Sequence, residues 1–245
     1  MLAQYNLVLS VSESKWLPRS EWGYWLYAAL LEKASKSFGS RVHEDAVTPI
    51  SQFLTIKDNN LYWRVTLLGK ESQAALGDVI HTIDALYLRH EKLRLPIEKR
   101  TVKKVAMPDS FFLVGETRGG AHSFRFHTVT AFKHQGKYVT LPTPRLLLQS
   151  LMKKWNGSFP DCPIEDADGH GLDAMAAGLR FRDFQLRSGA FRLKGAVIPG
   201  FVGAITVENQ LDGFHRKLAD ALLLFAPFAG IGIKTALGMG GVERL

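Results

Sequence analysis

The 245-residue sequence holds a single cysteine, Cys162, which excludes a disulfide framework and any multi-cysteine metal site. Long apolar runs are missing as well. The greasiest stretch, ALLLFAPFAGIGI, is interrupted by Pro227 and falls short of the roughly 20 residues that span a bilayer, so no membrane partner is expected. No basic segment precedes the apolar stretch of MLAQYNLVLSVSESK, so no signal peptide is read there, and a reducing cytoplasm is the expected compartment. Acidic residues are in the minority, 23 Asp+Glu against 31 Lys+Arg, and the formal charge of +8 suits a polyanionic partner. Against these shortages stands 46% apolar content, which excludes disorder as the main state. The length allows one large domain or two of about 120 residues.

Periodicity favours two. YNLVLSVS alternates as a strand, and from Glu21, after a capping Ser20, the residues Trp22, Trp25, Leu26, Ala29, Leu30 and Lys33 recur at helical spacing to about Lys36. A strand is expected over 48–56, another over 61–68, a helix over 71–86 and a strand over 92–106. That order is close to one ferredoxin-like βαββαβ unit. The small polar run ETRGGAH (116–122) marks the junction, after which the order repeats: strand 123–132, helix 144–155 launched after Pro142 and Pro144, strands 179–187, 191–194 and 201–208, helix 213–226, and a short terminal strand. The expected fold is α+β, two tandem ferredoxin-like domains over 1–117 and 118–245.

The most distinctive segment is GIGIKTALGMGG (230–241), five glycines around Lys234 and Thr235. Such a loop can bring backbone N–H groups of Gly230, Gly232, Gly238 and Gly240 against phosphates, with Lys234 as a point charge, or it can be a tight αβ connection. It is neither a Walker A loop nor a dinucleotide fingerprint, because it follows a helix rather than the first strand of a βαβ unit. The acidic run IEDADGH (164–170) lacks the spacing of a calcium loop and reads as a flexible acidic connection.

Residues LLLFAPFAGIG and IKTALGMGGVE, with AVIPGFVGAITVE upstream and FHTVTAFKHQGKYVTLPTPRLLLQSLMKKWN before that, resemble the RAMP superfamily, and within it the CRISPR-associated endoribonucleases that cut repeat RNA into guide RNAs. The resemblance is most specific after Phe124. It implies two ferredoxin-like domains and cleavage of a precursor transcript without metal or other cofactor. In that reaction a 2′-OH attacks the adjacent phosphate, leaving a 2′,3′-cyclic phosphate and a 5′-OH. The family's catalytic histidine, in a Leu-His-Glu-like stretch after the first helix, corresponds to His43 in RVHEDAVTPISQFL; histidine is a natural proton shuttle, and a lone loop histidine is also an ordinary surface residue.

A tyrosine on the first helix is the second family feature, matched by Tyr27, which sits at the flank of the apolar stripe beside Tyr24 and reads equally as a core-margin residue. Some members carry a lysine about six residues after the histidine. Here Pro49 stands there, and no Lys or Arg occurs between Glu44 and Leu54, so Arg41, beside His43, is taken as the supporting cation. For the RNA grip, Arg180 and Arg182 in LRFRDFQLR and Arg192 and Lys194 in FRLK are expected on a basic hairpin across Ser188-Gly189, extended by Lys153, Lys154 and Arg145; a solvated sheet face is the plain alternative. The implied partner is CRISPR repeat RNA, with other CRISPR effector subunits or a second copy of the chain also allowed. An alternative function is a non-catalytic repeat-RNA-binding subunit with an idle His43.

Overall fold

The computed structural model describes residues 1–11, 19, 22–35, 37–40, 48–57, 60–105, 108–117 and 120–245. Two antiparallel sheets carry the architecture. In the first half, β1 (Leu2–Leu9), β2 (Ile50–Lys57), β3 (Asn60–Leu68), β4 (Ala85–Leu88) and β5 (Leu93–Val105) pair in the order β2-β3-β1-β5-β4, with helices α1 (Trp22–Leu31) and α2 (Lys70–Thr82). β1 is central, hydrogen-bonded to β3 on one side and β5 on the other, which is why almost every one of its residues is buried. Ala3, Tyr5, Leu7 and Leu9 join Leu26 and Leu30 of α1 and Leu76 and Ile80 of α2 in one core.

The expected helix over 71–86 stops four residues early. Ile83 is extended, and past it Leu86 and Leu88 are buried while Tyr87 is exposed, so period two replaces the helical period and β4 pairs Leu86 with Leu95 and Leu88 with Leu93. The Arg100 guanidinium takes the carbonyls of His81 and Ile83 at the helix end.

The connecting segment contains a helix the sequence pattern does not announce, α3 (Asp109–Thr117), whose Phe111 packs edge-on against Trp155, Phe225 and Phe228 in the second core. In the second half, β6 (Ala121–Thr130), β9 (Leu179–Leu193), β10 (Ala196–Asn209) and β11 (Val242–Arg244) form a sheet in the order β11-β6-β10-β9, with helices α4 (Pro144–Ser158), α5 (His170–Ala177) and α6 (Gly213–Ala229), and a small hairpin of β7 (Phe132–His134) and β8 (Lys137–Val139). That is the βαββαβ order again, and the chain is two tandem ferredoxin-like units. The acidic run 164–170 is a connection as far as Gly169, and at His170 it enters α5, a helix not expected from the sequence; Asp166 accepts hydrogen bonds from the Gly171 and Leu172 amides and anchors its first turn.

The hairpin expected across Ser188-Gly189 is displaced. β9 runs unbroken through those residues, and the turn lies at Lys194-Gly195, both with positive φ (49° and 80°), as at Gln135-Gly136 (48° and 80°). Two residues of positive φ form a turn that matches the twist of paired strands. Its register sets Phe191 opposite Ile198, and these two residues join Leu193, Ala131 and Met239 in a small third core.

Candidate active site and nucleic-acid interface

The two units meet around the glycine-rich segment. After α6, residues 230–241 fold back along β6, where the pairing with β10 skips from Phe126 to Thr130. The segment takes up the groups this bulge frees: Ile233 N–H donates to Ala131 O, Gly240 N–H to Val129 O, Gly241 N–H to the Thr128 hydroxyl, and His127 N–H to Gly241 O. Glycine is required at 240, where φ is 66° and a Cβ would collide with the Ile231 carbonyl. On the first unit's side, buried Gln52 donates to Gly23 O (2.9 Å) and Ala236 O (3.0 Å) and accepts from the Trp63 indole (2.8 Å).

The amides of Gly230, Gly232 and Gly240 are therefore spent inside the protein, on Ala226 O, the Ser150 hydroxyl and Val129 O. A phosphate cradle of their N–H groups is not available, a correction to the sequence reading. What the segment presents outward is Lys234, exposed and held in the left-handed region (φ 56°) at the start of a short 3₁₀ turn, Thr235–Leu237.

Lys234 lines a cleft of about 1100 Å³ between α1 and α4. Five lysines converge on it: Lys133 from β7, Lys153 and Lys154 from α4, Lys194 from the β9–β10 turn, and Lys234. Among the described residues lining it, Glu32 is the one carboxylate. Facing the lysines, α1 contributes Tyr24 and Tyr27. Tyr27 is 4% exposed, and burial raises its pKa above the ordinary phenol value, so the hydroxyl stays protonated and able to donate. The Lys194 ammonium lies over the Tyr24 ring, 5.4 Å from its centroid. Lys154 is buried, and burial pushes its amine down to about 7.

The sequence-derived candidates divide accordingly. Tyr27, Gly232, Lys194, Lys234 and Thr235 all line the cleft; Gly230, Gly238 and Gly240 are buried residues outside its lining. Arg180, Arg182 and Arg192 are exposed on β9 outside it, and they do not share one face. Pairing steps from Phe181–Val207 to Asp183–Thr206, so Arg182 bulges, bonding Asp183, and Arg180 lies opposite Glu208 while Arg192 lies opposite Val197 on the other side of the sheet. Arg145 is paired with Asp173. His43, Arg41 and Lys36, like the helix cap Ser20, lie outside the described residues, although Gly39 and Thr48 on either side of 41–47 both line the cleft. Lys133 escaped the sequence reading; the signal that could have found it is the Gln135-Gly136 turn, which makes FKHQGKYV a hairpin. Among the described residues, no group of three or more His, Cys, Asp or Glu comes together as a metal site, and no helix is long and apolar enough to cross a membrane.

A second junction ties the units on another side. The Glu243 carboxylate on β11 accepts from Arg64 of β3 and from His127 Nε2 of β6 (2.7 Å), and the Phe53 ring packs against both, 5.1 Å from the Arg64 guanidinium and stacked on the His127 ring at 5.8 Å. The His127 hydrogen bond, with the Arg64 charge, lowers Glu243 to about 2.

These features define a tandem ferredoxin-like protein with a cationic cleft between its units. Residues 124–242 match the family model for the CRISPR-associated endoribonuclease Cas6. Over 226 residues the sequence is 31% identical to a CRISPR-associated endoribonuclease Cas6 of Mycobacterium tuberculosis, covering 89% of this chain and 70% of that one, and over 215 residues 26% identical to one of Streptococcus thermophilus, 87% of each. The chain belongs to the Cas6 family. In fold it is similar to a Thermus thermophilus Cas6 product complex (TM-score 0.77, 23% identity, 100% of this chain and 99% of that) and to a Cas6-related protein of Pyrococcus furiosus (TM-score 0.65, 15% identity, 100% and 99%).

Proposed function

We propose that this chain binds the repeat RNA of a CRISPR precursor transcript and cleaves it by attack of a 2′-OH on the adjacent phosphate. The 2′-O–P bond forms and the P–O5′ bond breaks; a base takes the 2′ proton and an acid protonates the leaving 5′ oxygen, leaving a 2′,3′-cyclic phosphate and a 5′-OH. No metal is called on. The observation that carries this reading is the convergence of five lysines on a cleft walled by Tyr27, in a member of the Cas6 family.

The four exposed lysines, Lys133, Lys153, Lys194 and Lys234, suit the charge that builds on the non-bridging oxygens, and a cleft lined by one sign of charge raises the local concentration of a polyanion. Tyr27, kept protonated by burial, is a donor to the phosphate or the ribose. His43 is assigned the proton shuttle and Arg41 a supporting charge on the strength of the family pattern and of Gly39 and Thr48, which bring the flanks of that segment to the cleft. The β9–β10 hairpin, with Arg180, Arg182, Arg192 and Lys194, is assigned the flanking RNA, where shape and phosphate contacts dominate recognition.

The test is a gel assay of the purified protein with a 5′-labelled repeat RNA from its own locus, in EDTA, beside the same RNA carrying a 2′-deoxy at the cut site. Cutting in EDTA that disappears on the deoxy substrate is the expected result, and His43→Ala abolishes it while repeat binding stays within a few-fold. Tight binding by the wild type without any cut overturns the catalytic reading in favour of an RNA-holding subunit.

A further inference from the structure

One of the five cleft lysines differs from the others. Lys154 is buried, and its Nζ lies 2.8 Å from Gly232 O, 3.0 Å from Gly230 O and 3.2 Å from the Ser150 hydroxyl. An ammonium has three N–H donors and no acceptor. All three are matched, so none is left for a phosphate, and Lys154 acts through what it holds. Ser150, one turn earlier on α4, accepts from Gly232 N–H (2.8 Å). Gly232 is thus gripped at both its N–H and its carbonyl by a single turn of α4, two residues before Lys234.

We propose that Lys154 is a positioning residue for the cleavage reaction, its charged form locking Gly230 and Gly232 so that Lys234 faces the RNA, and its neutral form letting the glycine-rich segment loosen. This rests on the RNA-cleaving reading above. A neutral amine keeps two N–H donors for the Gly230 and Gly232 carbonyls and turns its lone pair to the Ser150 hydroxyl, so the contacts persist but lose the charge assistance that makes such bonds roughly twice as strong, and the grip on the segment weakens. Burial brings the switch into the neutral range, near 7. The charged and titratable groups that share the cleft with Lys154 are Lys133 of β7, Lys153 of α4, Lys194 of the hairpin turn and Lys234 of the segment itself, with Tyr24 and Tyr27 of α1 and Glu32, in the turn just past it, on the other wall. RNA phosphate entering that space favours the charged ammonium, so RNA binding takes up a proton and weakens as pH rises through the Lys154 pKa.

The test uses the full chain at fixed ionic strength and a repeat RNA with a 2′-deoxy at the cut site, which removes the chemical step. Wild-type affinity is expected to fall about tenfold between pH 6 and pH 9, the size of one charge-assisted contact. Lys154→Met, neutral throughout, is expected to bind as weakly at pH 6 as the wild type does at pH 9, with a flat profile. Lys154→Met that keeps the wild-type affinity and slope overturns the proposal. A second measurement needs neither the variant nor RNA: the Gly232 and Ile233 amide resonances of the free wild-type protein are expected to titrate with a midpoint near 7, and their failure to do so overturns the proposal even if Lys154→Met does not fold. A wild type that binds no repeat RNA at any pH while those resonances titrate defeats the RNA reading and leaves the Lys154 linkage standing.

Discussion

The ammonium of Lys194 lies 5.4 Å from the ring centroid of Tyr24, joining the hairpin turn of the second unit to the first helix of the first across the cleft. The contact spans 170 residues of sequence and depends on a turn at Lys194-Gly195. A cation over a ring keeps most of its charge available to a phosphate. Lys194→Ala is expected to weaken repeat-RNA binding several-fold and to reduce the slope of log affinity against log salt by about 0.7 to 0.9, the change for one lost phosphate contact. Titrations at two or more salt concentrations check it, and an unchanged slope removes Lys194 from the RNA contacts.

Tyr27 combines a buried ring with a hydroxyl at the cleft. Tyr27→Phe keeps the packing and removes only the donor, so thermal stability is expected to stay close to wild type while single-turnover cleavage falls about a hundredfold, the scale of one proton-transfer or electrostatic contact. The raised phenol pKa means that Tyr27 does not titrate in the range where the enzyme would be assayed. Any alkaline loss of binding near neutrality therefore belongs to another group.

The glycines of 230–241 are separable by geometry. Gly240→Ala forces a side chain into the left-handed region against the Ile231 carbonyl and is expected to destabilise the protein by about 2 kcal/mol or more. Gly39→Ala, where no atom lies within 4 Å of the added Cβ, is the control and is expected to be near neutral. Denaturant midpoints of the two variants decide whether this segment is structural mortar in the way its buried amides indicate.

Much of the fold was legible because both units follow plain periodicities: Tyr5, Leu7 and Leu9 at period two, Leu147, Leu151 and Trp155 at helical spacing. Where two rules competed, the sequence misled. Helical spacing over 71–86 ran on past Thr82 because Leu86 fits both patterns, and the choice fell to pairing with Leu95. Ser188-Gly189 and Lys194-Gly195 offer equal local turn chemistry, and only the burial of Phe191 against Ile198 selects the second. Tyr27, Lys194 and Lys234 were legible as residues and not as an assembly, since they come from three distant segments, and Lys133, from a fourth, was missed. Lys154 was expected to extend the RNA grip with Lys153 and Arg145, yet it lies three residues after Leu151 and seven after Leu147, on the buried face of α4. Glycine content suggested an anion loop; the bulge in β6 that consumes its amides leaves no trace in composition.

Glu243 offers a test of the junction on the other side. Its pKa, lowered by His127 and Arg64 from 4.5 to about 2, is a depressed carboxylate value, so its contribution to stability is present above about pH 4.5 and is lost as pH falls toward 2. With the side chain 38% exposed, screening reduces that contribution to about 1 kcal/mol. Glu243→Gln is expected to lower the melting temperature by a few degrees at pH 7 and to show a shallower loss of stability between pH 5 and pH 3; equal acid slopes would mean the carboxylate is not the tie between the units.

Lys154 has the opposite sign. Its folded pKa near 7 lies below the ordinary 10.5, so between those values the unfolded chain holds a proton that the folded one has shed, and the group makes the fold more stable as pH rises from about 7 toward 10. The span corresponds to a gain on the order of a few kcal/mol. Local order and global stability therefore pull apart at this residue: the ammonium that grips Gly230 and Gly232 is the form the buried site least favours. Melting curves of wild type and Lys154→Met at pH 6.5 and 9 separate the two. The wild type is expected to gain more stability than the variant over that interval even as its RNA affinity falls, and a variant with the same gain would place the Lys154 pKa outside the window and leave the pH dependence of binding to another cleft group.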